Sequence, residues 1–151
     1  MSVTPLNEIL HNLTHAYKSS IATAVKSANI PLPITHVRAL KGIRRDENVT
    51  AQAIAKRMRR DKAQITRVLN ELLKDEFIIK LNNPNDGRSQ ILRLTEKGQG
   101  IVEQLDIIEA HSKRTMTQKL SDDDIQQFIR IANAMISNLS NEASNSEDNS
   151  Q

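Results

Sequence analysis

Residues 61–95 run DKAQITRVLNELLKDEFIIKLNNPNDGRSQILRLT, and no other stretch limits the fold as tightly. Ile65, Val68, Leu69 and Leu72 recur at three- and four-residue steps, which predicts a helix with one apolar stripe. Asp61 stands where that helix needs a cap, and Gln64 three residues on completes a capping-box-like pair. Behind the helix, Phe77, Ile79 and Leu81 alternate as one strand. Ile91 to Leu94 make a second, more continuously apolar strand. Between them lies NNPNDGRS, built of turn-forming residues with Asp86-Gly87 at its tip. Ahead of the helix, Thr50 caps a shorter one whose Ile54, Ala55 and Met58 face inward, and Arg59-Arg60 makes the turn. Val49 is expected to form a strand of one or two residues that pins the hairpin. That order is a helix-turn-helix with a β-hairpin wing.

The flanks are helical. Leu6, Ile9, Leu10, Leu13, Ala16, Tyr17, Ile21, Ala24, Val25 and Ala28 keep a helical period. Thr4 can cap that helix, with Pro5 at its first position, and Pro31 and Pro33 end it. Ile34, Val37, Leu40 and Ile43 mark a second helix, which stops in the charged run at 44–47. Thr95 caps a long fifth helix with Ile101, Val102, Leu105, Ile108 and Met116 inward. Ser121 starts a sixth, with Asp122, Asp123 and Asp124 where the positive helix end favours carboxylates. Ile125, Phe128, Ile129, Ala132, Met135, Ile136 and Leu139 form its stripe. The fold class expected is mainly α with a small β-hairpin wing.

Four segments follow: an N-terminal dimerisation helix at 1–30, a winged helix-turn-helix at 31–94, long C-terminal dimerisation helices at 95–140 and a disordered polar tail at 141–151. The terminal stripes are too extensive for a small winged domain to bury, so packing of two copies across a two-fold axis is expected. A monomeric bundle is the alternative.

Composition narrows the function. Aromatic content is 2% and there is no Cys, so the core must be aliphatic, and thiolate metal sites and thiol redox chemistry are excluded. No stretch reaches the ~20 apolar residues of a membrane span, and the start lacks the pattern of a signal peptide. A cytoplasmic protein without membrane partners is expected. Residues 38–97 hold 15 Lys/Arg against 8 Asp/Glu, a net +7, whereas residues 98–151 hold 4 against 9, a net −5. A basic middle between less basic ends suits a DNA-facing module.

The side chains in that middle suit the task. Gln64 can pair with adenine N6 and N7, and Arg67 with guanine O6 and N7 or with a phosphate. Arg88, on the wing, can enter a narrow A·T minor groove. Thr50, Arg59, Arg60, Lys62 and Thr66 read as phosphate contacts, which set register. Each has a plainer alternative. Gln64 could serve only the cap of Asp61, Arg67 could pair with Glu71 four residues on, Arg88 could balance Asp86, and Arg59-Arg60 could be a solvated turn.

An enzyme is not expected. There is no phosphate-cradling Gly loop, no G-x-S-x-G and no Cys nucleophile. His11 and His15 share a helical face, but two ligands do not make a zinc site. A metal-responsive regulator using this pair, and an architectural protein that binds DNA without sequence preference, are the competing readings. No cofactor and no metal are expected.

At Ile65-Thr66-Arg67-Val68-Leu69, Asp86-Gly87-Arg88 and Leu94-Thr95-Glu96-Lys97-Gly98, the chain resembles the MarR/SlyA family of bacterial regulators. The family pattern is a T-R-x-[LV] recognition helix, a D-x-R wing and an L-T-x-x-G strand-to-helix junction. The resemblance implies a homodimeric winged helix-turn-helix transcriptional regulator, a repressor by family habit. It would bind near-palindromic double-stranded DNA and be released by a small-molecule effector of unknown identity. It puts Ala63, Gln64 and Arg67 at base-facing helix positions, Arg88 on the minor-groove wing Arg and Asp86 on the wing Asp that orients nearby basic side chains.

Overall fold

The computed structural model describes residues 4–148. Its elements are α1 (Leu6–Ser27), α2 (Ile34–Arg44), α3 (Ala51–Met58), α4 (Lys62–Lys74), β1 (Ile78–Asn82), β2 (Gln90–Leu94), α5 (Glu96–Met116) and α6 (Asp122–Asp148). Two units divide the chain, residues 1–112 and residues 113–151.

The core of the first unit is aliphatic. Val37, Ala39, Leu40 and Ile43 of α2 are buried, as are Ile54 of α3 and Ile65, Val68, Leu69 and Leu72 of α4. Ile101, Val102 and Leu105 close it from α5, and Ile21 and Val25 from the end of α1. Losing a buried Leu of this kind costs about 2–5 kcal/mol, which makes α2 the spine on which α4 is held. Two ion pairs tie α2 to α5. Arg44 grips Asp106 through two hydrogen bonds of 2.5 and 2.7 Å, and Lys41 pairs with Glu109. The Arg44 guanidinium holds the Asp106 carboxyl below the usual carboxylate range, and its own value rises in return.

Helix ends follow local chemistry. The Thr50 hydroxyl accepts from Ala53 N at 3.2 Å and caps α3. Ser121 and Asp124 close a reciprocal box at the start of α6, both bonds 3.0 Å. Thr95 caps α5 through Gly98 N, and its hydroxyl also lies 2.7 Å from the Glu76 carbonyl oxygen. A Cβ on Gly98 would stand 2.2 Å from the Phe77 carbonyl oxygen, so this junction requires glycine. Those two demands account for the L-T-x-x-G spacing at 94–98.

Several expectations are corrected. Helix α1 begins at Leu6 with Pro5 as its cap, and Thr4 makes no side-chain cap bond. Val49 joins no strand, although its carbonyl accepts from Leu92 N at 2.9 Å. The hairpin pairs Ile78 with Leu94 and Asn82 with Gln90. Only Ile78 of β1 is buried, while Ile79 and Leu81 are exposed. Strand β2 lies on the body side, with Ile91 and Leu92 buried and Leu92 N bonded to Val49 O, and β1 is the outer strand, so Ile79 and Leu81 are left exposed. Met116, expected inward, is exposed.

The tail also differs from expectation. Helix α6 runs on to Asp148, so 141–148 is helical, and 149–151 lie outside the described residues. Adding polar residues to a helix already formed costs far less than starting one. The hydroxyls of Ser140 and Ser144 also bond back to the carbonyls of Ile136 and Ser140.

Candidate nucleic-acid interface

Helix α4 presents one free face. Lys62, Ala63, Thr66, Arg67, Asn70 and Lys74 are exposed on it, opposite the buried Ile65, Val68, Leu69 and Leu72. Thirteen residues make a rod about 20 Å long, which a major groove can admit. Its start is held by Asp61, whose carboxylate accepts from Ala63 N at 3.4 Å. The expected return bond from Gln64 is absent, so no capping box forms. Gln64 is half-buried beside the exposed face, and its amide has no partner among the described residues.

The turn before α4 is strained in a way that favours charge over comfort. Arg59 adopts φ +52°, the left-handed region that usually takes glycine. Its N–H donates to Lys56 O and that of Arg60 to Ala55 O, closing α3 with a Schellman-type end. Both side chains are exposed next to the N-terminus of α4. Unpaired N–H groups at such a terminus favour anions.

The two hydroxyls expected on phosphate differ. Thr66 Oγ1 donates to Lys62 O at 2.8 Å and can donate to phosphate only by giving up that helix bond, whereas Thr50 Oγ1 accepts from Ala53 N and keeps its O–H to donate. Lys62 is exposed and makes no ion pair among the described residues.

The wing loop spans residues 83–89 and stands one strand length, about 17 Å, from the hairpin base. Asp86 Oδ1 accepts from the backbone N of Arg88 at 3.0 Å, and Ser89 N donates to Asp86 O at 3.2 Å. Asp86 therefore shapes the loop instead of balancing the Arg88 guanidinium or orienting other basic side chains. Arg88 is exposed, with no side-chain partner among the described residues. Gly87 has no positive φ, so the tip is not the tight Asp-Gly turn its sequence suggests.

Arg67 likewise has no side-chain partner among the described residues. The plainer alternative paired it with Glu71, but Glu71 Oε2 is bonded to His36 Nε2 of α2 at 2.6 Å. Sequence reasoning missed this contact, because 35 residues separate the two and no local pattern links them. His11 and His15 are exposed on α1. No group of three or more His, Cys, Asp or Glu among the described residues could hold a metal ion.

A short helix, a turn, a second helix with a free basic face and a hairpin ending in an exposed arginine define a winged helix-turn-helix. The family comparison agrees: residues 32–90 match the MarR family model. Over those residues, the winged helix-turn-helix core, the chain is similar to the MarR family. It is similar to the HTH-type transcriptional regulator BilQ of Clostridioides difficile (strain CD3), 27% identical over 88 residues, which is 58% of this chain. That match spans only 60% of the length of BilQ. Among solved structures, MepR of S. aureus in complex with DNA superimposes with TM-score 0.76 at 19% identity, covering 89% of this chain and 96% of MepR. A mutant of MarR from E. coli complexed with operator DNA gives TM-score 0.72 at 21% identity, covering 87% of this chain and 93% of MarR.

Proposed function

We propose that this protein is a sequence-specific transcriptional regulator, a repressor, that binds near-palindromic double-stranded DNA as a homodimer. The observation that supports this best is the pair of free arginines. Arg67 on α4 and Arg88 on the wing are both exposed, and neither has a side-chain partner among the described residues. Such groups are suited to base edges and to a narrow minor groove respectively. Ala63 and Gln64 would meet bases beside Arg67, while Arg59, Arg60 and Lys62 would hold phosphates. Thr50, Thr66 and Asp86 would shape the surface. The MepR and MarR structures named above were solved with DNA, which favours the same reading.

The dimer would use the terminal helices. Leu6, Ile9, Leu10, Leu13 and Tyr17 of α1 are exposed in the single chain. So are Phe128, Ile129, Ile136 and Leu139 of α6. Apolar faces of this length mark an association surface. A small-molecule effector would act by favouring a spacing of the two reading heads that fits DNA poorly, a difference in affinity between two states. An open depression of about 520 Å3 lies between the end of α1 and the start of α2, lined by Val25, Lys26, Ile30 and Leu32, and is one place to look for it.

Selection from a random pool of duplex DNA tests the reading. An inverted repeat with half-sites about one helical turn apart should be enriched. Recovery of a pool as diverse as the input would leave only non-specific binding.

A further inference from the structure

Glu71 is the only carboxylate between Lys62 and Lys74, so it is the one negative charge on α4 itself. It stands four residues after Arg67, where side chains on one helical face meet. Paired there, it would neutralise the cation best placed to reach a base. Freed, it has two cations within reach on its own helix, Arg67 and Lys74. The structure shows neither pair. His36 Nε2 donates to Glu71 Oε2 at 2.6 Å and draws the carboxylate toward α2.

The bond matters more to the ring than to the acid. The Glu71 side chain is 53% exposed and has water as an alternative, whereas that of His36 is 11% exposed. His36 Nδ1 is buried with no partner, so Glu71 is the only polar contact of the imidazole among the described residues. A buried ring with one unsatisfied nitrogen contributes poorly to stability, since an unmet polar group costs about 1–3 kcal/mol. An aliphatic side chain of similar size would fill the same place without that cost. Its role therefore lies in what it does to Glu71.

We propose that His36 is a positioning residue for DNA recognition: by holding the Glu71 carboxylate against α2, it keeps the Arg67 guanidinium unpaired and available to the duplex. This rests on the reading that Arg67 faces DNA. The histidine touches no DNA. It acts through the charge it keeps away from Arg67, and a two-fold dimer applies that effect twice on each site.

The test uses the full chain and the duplex enriched by selection, with affinity read by fluorescence anisotropy at fixed salt. His36→Leu should fold with an unchanged or higher midpoint of thermal unfolding, yet bind about fivefold more weakly. Glu71→Gln should bind at least as tightly as wild type. His36→Leu should then have no effect in the Glu71→Gln background, nor in an Arg67→Ala background. His36→Gln, which keeps an N–H donor, should restore most of the affinity. Equal weakening by His36→Leu with or without the Glu71 charge would overturn the proposal, and so would wild-type affinity of His36→Leu. If His36→Leu does not fold, Glu71→Gln alone decides, because weaker binding by it contradicts the proposal. Wild-type affinity of Arg67→Ala would instead reject the underlying reading, so the two failures are distinguishable.

Discussion

At the scale of residues, the proposed DNA contact depends on which cations are left free. Arg44, Lys41 and Lys97 are used internally: Arg44 on Asp106, Lys41 on Glu109, and Lys97 on the Asp75 carbonyl and the Phe77 ring. Arg67 and Arg88 are not. Replacing Arg88 with Ala should weaken binding to the selected duplex by about tenfold, since one good groove contact is worth roughly 1–3 kcal/mol. Helix content and oligomeric mass should stay the same, and undiminished affinity would remove the wing from the interface. The residue types were legible in the sequence, and so was their exposure on the recognition helix and loop. Their freedom was not. It depends on Glu71 being held by a histidine from another helix, and on Asp86 bonding a backbone N–H instead of a guanidinium. Both are matters of three-dimensional contact that spacing does not encode.

At the scale of elements, periodicity located α2, α4, α5 and α6 because each carries an apolar stripe at helical spacing. It located both wing strands as well, but two-residue alternation does not reveal that β1 is the outer strand and leaves Ile79 and Leu81 exposed. The α6 extension to Asp148 was unreadable for a related reason, because a polar sequence records no packing. The link between α2 and α5 makes a prediction about acid. The Asp106 carboxyl is held below its ordinary value by Arg44. Its contribution to stability is therefore complete above the unfolded-state value of about 3.9 and is lost as pH falls through the lower folded value. Thermal unfolding of wild type and Asp106→Asn should differ at pH 7 and converge well below pH 4. The difference should be small and shrink with salt, because the pair is solvent-exposed. A gap that persists undiminished at pH 2 would show that Asp106 acts by something other than its charge.

At the scale of the whole molecule, the unsatisfied feature is apolar surface. Leu10 and Leu13 of α1 lie in a run of exposed aliphatic side chains with no cover among the described residues of the first unit. If a second copy supplies that cover, Leu10→Glu together with Leu13→Glu should shift the solution mass from two chains to one at micromolar concentration. DNA affinity should fall with it, while the far-ultraviolet helix signal of the winged domain remains. A variant that stays dimeric would place the interface elsewhere.

The most direct measurement is affinity as a function of half-site spacing in the selected repeat. Two reading heads fixed in one dimer require half-sites on the same face of the duplex. Inserting about five base pairs, half a helical turn, should therefore lower affinity to the non-specific level, and inserting about ten should recover part of it. Affinity indifferent to that insertion would contradict the account, because it would mean that each chain binds alone or that the protein does not read its site as a pair.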